Sequence, residues 1–136
     1  MKRLMMMLTT LLFSFNAASA VVVIVNKSSS AVLDKKQISR IYLNLDKKLE
    51  SGRPIIPIAH VSSSPLAAEF NKNVVGKSSS QYKAYWSKLI FTGKGTPPKE
   101  VDSDDEVIQL VANNPDLIGY VEKGSVTDDV KVIGEF

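Results

Sequence analysis

Three consecutive serines, Ser62, Ser63 and Ser64, stand immediately before Pro65, and hydroxyl groups gathered at such a point can bind an anion. Proline is favoured at the first position of a helix and serine at the cap just before it. Ser64-Pro65 therefore opens a helix, and Ile55 to Ala59 upstream reads as a strand. A strand that runs into a helix N-terminus supplies unpaired backbone N–H groups, the positive end of the helix dipole and, here, up to three hydroxyl donors. Phosphate or sulfate requires such a cluster of donors. The same residues also suit a plain helix cap in a polar loop, which is the simpler reading of the serines taken by themselves.

Other chemistries find less support. The chain has one histidine, His60, and no cysteine. That excludes a His-rich metal site, thiolate ligands, a thiol nucleophile and disulfides. No G-x-S-x-G elbow surrounds any serine, and His60 has no evident orienting acid beside it, so neither a catalytic residue nor an enzyme is expected. Gly93-Lys94-Gly95 lacks the spacing of a phosphate-binding P-loop and follows a helix where a P-loop precedes one, so it reads as a turn. Tyr85 and Trp86 share a helical spacing with Leu89 and Ile90 that marks them as core.

The elements that would position these residues follow from capping and periodicity. Residues 1–20 read as a cleavable signal peptide: Lys2 and Arg3, an apolar run from Leu4 to Phe15, and Ala18-Ser19-Ala20 as the cleavage site. The run is shorter than the ~20 residues of a membrane-spanning helix, so no membrane insertion is expected after cleavage, and the localisation is periplasmic. Without Lys2 and Arg3 the chain has 15 basic and 14 acidic residues, a net charge of +1 instead of +3. Such a balance leaves no footprint for nucleic acid. Residues 21–136 suffice for one domain.

Val21 to Val25, ending at Asn26, is a β-branched run of the kind buried on both faces of a parallel or mixed sheet. Asp34 with Gln37 forms a capping box, Leu33 can staple onto Ile38, and Ile38, Ile41, Tyr42 and Leu45 make one apolar helical stripe. Ser51-Gly52-Arg53-Pro54 is a turn, and Pro57 suggests that the following strand lies at an edge or carries a bulge. Ser64-Pro65 begins a helix carrying Leu66, Ala67, Phe70 and Val74, ended by Gly76. Ser78 to Ser80 cap the next, with Tyr82, Tyr85, Trp86, Leu89 and Ile90 as its buried face. Ser103-Asp104-Asp105-Glu106 reads as a capping box for a helix with Val107, Ile108, Leu110 and Val111 inward, stopped by Asn113-Asn114-Pro115. Leu117 to Val121 and Val130 to Ile133 are the last strands, joined by a polar turn around Lys123-Gly124. The alternation implies an α/β domain with helices covering the sheet.

Several segments, in order, resemble the phosphate-binding proteins of the ABC transport class. Val21 to Lys27 is similar to the strand entering their second lobe. Leu33 to Asn44 is similar to an L-x-x-x-Q-L-x-x-I-F-x-G helix, with Tyr42 for Phe and Asn44 for Gly. Trp86 to Pro98 is similar to W-x-x-x-I-F-T-G-K-G-x-P-P, and Ile118-Gly119-Tyr120-Val121 to a returning A-I-G-Y strand. The resemblance implies a single periplasmic-binding-protein-like lobe with a mixed, mainly parallel sheet. It also implies an oxyanion such as phosphate at Ser62, Ser63 and Ser64, with His60 and Asn26 as further candidates and no cofactor. The family's second-lobe signature resembles Arg-x-x-x-Ser-Gly-Thr; aligning its serine with Ser64 puts His60 at Arg, Pro65 at Gly and Leu66 at Thr. The guanidinium fork is gone, and neutral histidine does not replace it. Weak binding is the expectation, with an ABC permease, a second lobe or a sensor protein as partners. A periplasmic interaction or sensor module that has lost its ligand is the alternative.

Overall fold

Six consecutive buried residues, Val21–Asn26, form strand β1, and the rest of the molecule is arranged around them. A computed structural model describes residues 20–136; the expected signal peptide lies outside the described residues, Ala20 apart. The remaining elements are α1 (Lys35–Tyr42), β2 (Ile56–His60), α2 (Pro65–Phe70), which continues into a π-helical stretch (Asn71–Val75), α3 (Ser79–Phe91), β3 (Lys99–Val101), α4 (Asp104–Asn113), β4 (Leu117–Glu122) and β5 (Val130–Glu135).

The sheet runs β3-β2-β4-β1-β5. β2 pairs in parallel with β3 and β4, and β1 pairs antiparallel with both β4 and β5. Four strands thus point one way and β1 the other, a mixed and mainly parallel sheet. Because side chains alternate across a strand, β1 feeds two cores. Val21, Val23 and Val25 pack with Ile38, Tyr42, Phe70 and Tyr120 under α1 and α2. Val22 and Ile24 pack with Ile58, Val107, Val111 and Val121 under α4. The result is a single α/β lobe with helices on both sheet faces.

The helix starts follow their local chemistry. Asp34 and Gln37 make the full capping box, as do Ser78 and Gln81. Ser64 caps α2 with Pro65 in first position, and Gly76 ends the helical run in the left-handed conformation (φ 79°). At α4 only half of the expected box forms: Ser103 Oγ accepts from Glu106 N, but the Glu106 carboxylate accepts from Asp102 N (3.4 Å) and not from the cap residue.

Three further expectations are corrected. α1 ends at Tyr42 because Asn44 turns left-handed (φ 60°), and Leu45 then falls off the buried stripe at 54% exposure. α3 buries only Trp86 fully; Ile90 is 54% and Phe91 92% exposed, because none of the described residues packs beyond that turn of helix. β2 is an interior strand. Pro57 is tolerated because β3 pairs only from Ile58 onward, so the edge there needs no N–H. β3, an edge strand of three residues, was not foreseen. β4 and β5, joined through a short turn at Lys123–Ser125, are separated in the sheet by β1.

Candidate functional site

The C-terminal ends of the parallel strands carry the polar groups. His60, the last residue of β2, is buried, and its ring Nε2 lies 3.0 Å from Asp104 Oδ1 and 3.1 Å from the Tyr120 carbonyl oxygen. A carboxylate and a carbonyl can only accept, so Nε2 carries the proton. Asp104, in the first turn of α4, also accepts from Glu122 N (3.1 Å) and Ser125 Oγ (2.6 Å). One carboxylate therefore joins α4 to the ends of β2 and β4. The His60 backbone N–H donates to Tyr120 Oη (3.0 Å), and the Tyr120 ring stacks on Phe70 at 3.9 Å.

The serines follow directly. Ser64 Oγ accepts from Leu66 N (3.2 Å) as the α2 cap, and Ser64 N donates to the Val61 carbonyl. Ser62 and Ser63 are exposed. The three do not share one pocket. Ser64 and His60 line an open depression of about 410 Å³ bordered by Asp102, Asp104, Asp105 and Glu122, whereas Ser62 lines a separate cavity between α2 and α3. Among the described residues, no lysine or arginine lines the depression. Its donors are hydroxyls and the helix end, and its charge is that of carboxylates.

Asn26 lies elsewhere. Its side chain donates to the carbonyls of Val111 and Ala112 (both 2.9 Å) and accepts from Ser28 N and Oγ. It fastens the C-terminus of α4 at the end of the sheet opposite His60, and its hydrogen-bonding capacity is spent there. Gly93-Lys94-Gly95 is a helix terminator: Gly93 is left-handed (φ 67°), and the N–H groups of Gly93 and Lys94 close back on Ile90 and Leu89.

Asp104 and Tyr120 were missed as partners of His60. Asp104 reads in the sequence as an ordinary negative charge at a helix start, and Tyr120 as a strand residue; no local signal joins either to position 60. Around them burial raises the Tyr42 phenol well above its ordinary range, and burial likewise raises Tyr120. Tyr82 is pushed up to about 12, chiefly by burial and against the lowering effect of the adjacent Trp86 indole.

No protein-family model and no curated protein sequence matches the chain. Solved structures do match. An ABC-type phosphate transport receptor from Vibrio cholerae aligns with a TM-score of 0.57 and 18% identity, over 85% of this chain and 45% of that one. A putative phosphate ABC transporter substrate-binding protein with bound phosphate from Clostridium perfringens gives 0.67 and 19%, with the same coverage. The fold is that of part of these phosphate-binding proteins. PstS from Borrelia burgdorferi gives 0.63 and 17%, over 85% of this chain and 46% of that one. The present chain thus spans a little under half the length of each neighbour, as one lobe would.

Proposed function

We propose that this chain is an exported solute-binding protein, its leader cleaved after Ala20, that holds phosphate or a similar oxyanion weakly at the Ser62–Ser64 helix start. The likeness to a fold whose solved examples include one with bound phosphate supports this reading. The position of the serines agrees with it, because ligands of open α/β sheets gather outside the carboxyl ends of the strands. An ABC permease or a second lobe would be the natural partner. A lone lobe leaves its ligand open to water, which weakens every hydrogen bond to it. The neighbouring carboxylates disfavour a fully deprotonated dianion but accept a hydrogen bond from an oxyanion that keeps a proton, as phosphate does at neutral pH and sulfate does not.

Calorimetric titration of phosphate, with sulfate as control, into the protein at low ionic strength tests the reading. Saturable phosphate heat is expected, absent for sulfate and lost in Ser63→Ala and Ser64→Ala. Ser64→Ala also removes a cap worth about 1 kcal/mol, so Ser63→Ala, which touches no cap, separates binding from stability. Unchanged affinity in both variants would refute the serine site.

The acidic rim, with no cationic side chain among the described residues that line the depression, favours a second reading, a periplasmic interaction or sensor module that kept the lobe and lost the ligand. It predicts no heat up to millimolar phosphate and a specific protein partner recovered by cross-linking in whole cells.

A further inference from the structure

The charges of this chain are unevenly placed. From Asn71 to Lys99 there are six lysines and no acidic residue, whereas the rest of residues 21–136 carries nine basic and fourteen acidic ones. The near-neutral total therefore conceals a stretch of +6 set against a remainder of −5. At the centre of that stretch is α3. Tyr82 and Tyr85 tie the inner side of the helix to the Tyr42 and Leu43 carbonyls at the end of α1, and Trp86 is buried there. Residues three, four and seven apart share a helix face. Lys83, Ser87, Ile90 and Phe91 thus fall along one flank, with Lys88 a turn before Phe91. Lys94 N donates to the Leu89 carbonyl, which brings Lys94 back to the end of the helix.

The tip of this face is apolar and bare. Ile90 is 54% and Phe91 92% exposed, and Lys83, Lys88 and Lys94 beside them are exposed too. The ion pairs of the described residues, Arg40–Asp46, Arg53–Asp116, His60–Asp104 and Lys123–Glu135, involve none of the six lysines. Glu100 lines a cavity with Lys83 and Ile90 but forms no ion pair with the lysine. An apolar projection ringed by unpaired cations complements an anionic lipid surface, where apolar side chains enter the headgroup layer and lysines meet its negative charge. A protein partner fits less well. Protein interfaces are enriched in arginine and depleted in lysine, and the planar arginine fork is what reads a fixed carboxylate. The stretch has no arginine. Lysine, a point charge on a flexible stem, suits a diffuse anionic field.

We propose that the outer flank and C-terminal end of α3 dock this protein onto an anionic lipid bilayer. Phe91 and Ile90 enter the interface, and Lys83, Lys88 and Lys94 lie against the headgroups. No described helix is long and apolar enough to cross a membrane, so the attachment is to the surface. It requires no phosphate at the serine helix start.

Co-sedimentation with vesicles in phosphate-free buffer at low salt tests the docking. Saturable attachment is expected to vesicles of equal parts phosphatidylglycerol and phosphatidylcholine, weakened by added salt. Attachment to phosphatidylcholine alone is expected to be at least about tenfold weaker. The same loss is expected on anionic vesicles for Phe91→Ser and for the double variant Lys88→Gln/Lys94→Gln, whose exposed positions leave the core untouched. All these proteins share one N-terminus, so a difference between them belongs to α3. Because the chain has no cysteine, a polarity-sensitive fluorophore on Phe91→Cys reads the contact directly. Its emission is expected to shift to the blue on anionic vesicles, and the same dye on Val32→Cys, 90% exposed in the loop before α1, is expected not to shift. No attachment to anionic vesicles, undiminished attachment of either variant, or equal shifts at positions 91 and 32 would overturn the proposal. Binding to soluble polyglutamate as tight as to anionic vesicles would also overturn it, in favour of an acidic protein partner.

Discussion

At the scale of single residues, His60 is a structural pin. Its Nε2–H serves two acceptors on different elements, and removing it leaves a carboxylate oxygen and a buried carbonyl short of a donor. His60→Ala is expected to lower unfolding free energy by about 2–4 kcal/mol in urea titrations, with His60→Gln, which retains an N–H donor, losing less. The tyrosines set a different limit. Tyr82 is raised by burial to about 12, and Tyr42 and Tyr120 are raised in the same direction by the same cause. A phenol whose folded pKa exceeds its unfolded value near 10 favours the folded state fully below pH 10, and that contribution is lost as pH rises through the folded pKa. The urea midpoint should therefore show no tyrosine-dependent loss up to about pH 9.5 and fall between about pH 10 and 12. Tyr82→Phe should reduce that fall.

At the scale of elements, α4 lies close on β4 because Gly119 has no side chain. A Cβ at that position would stand 2.6 Å from Val107 Cγ1 and 3.4 Å from Val111 Cγ2, and neither branched side chain has a long flexible end with which to yield. Gly119→Ala is expected to cost about 1–3 kcal/mol, read as a lower thermal midpoint. The helix starts were legible in the sequence because caps are local: Asp34, Ser64, Ser78 and Ser103 each act within three residues of their own position. The strand β3 was not. Lys-Glu-Val has no pattern of its own, and it is extended only because β2 offers it an edge. The inner face of α3 was legible only in part, since the period marks Ile90 as apolar but burial depends on what stands opposite. The serines were found by composition. The link from His60 to Asp104 and Tyr120 was hidden because it exists only after three separate elements have met. Asn44 shows how a departure from a pattern can be read afterwards. It stands where the similar helices have glycine, and it adopts the left-handed turn that glycine would make.

At the scale of the whole molecule, the two ends of the described chain meet. Val21 N donates to the Phe136 carbonyl and Phe136 N to the Val21 carbonyl, so β1 lies between strands that come last in the chain. Deleting residues 130–136 would strip one edge of β1 and open the core above α4; loss of a cooperative melting transition by circular dichroism is the expected result. The same arrangement governs the order of folding. Pairing Val25 with Ile118 closes a loop of about 90 residues before a single sheet bond of β1 can form, and contacts so distant in sequence make folding slow. While the chain is being made, Val-Val-Val-Ile-Val emerges ahead of every other described strand and waits longest for its partners. That run has the composition of an aggregation-prone segment. The interval before the last strand arrives is when this protein depends most on being kept apart from its own copies.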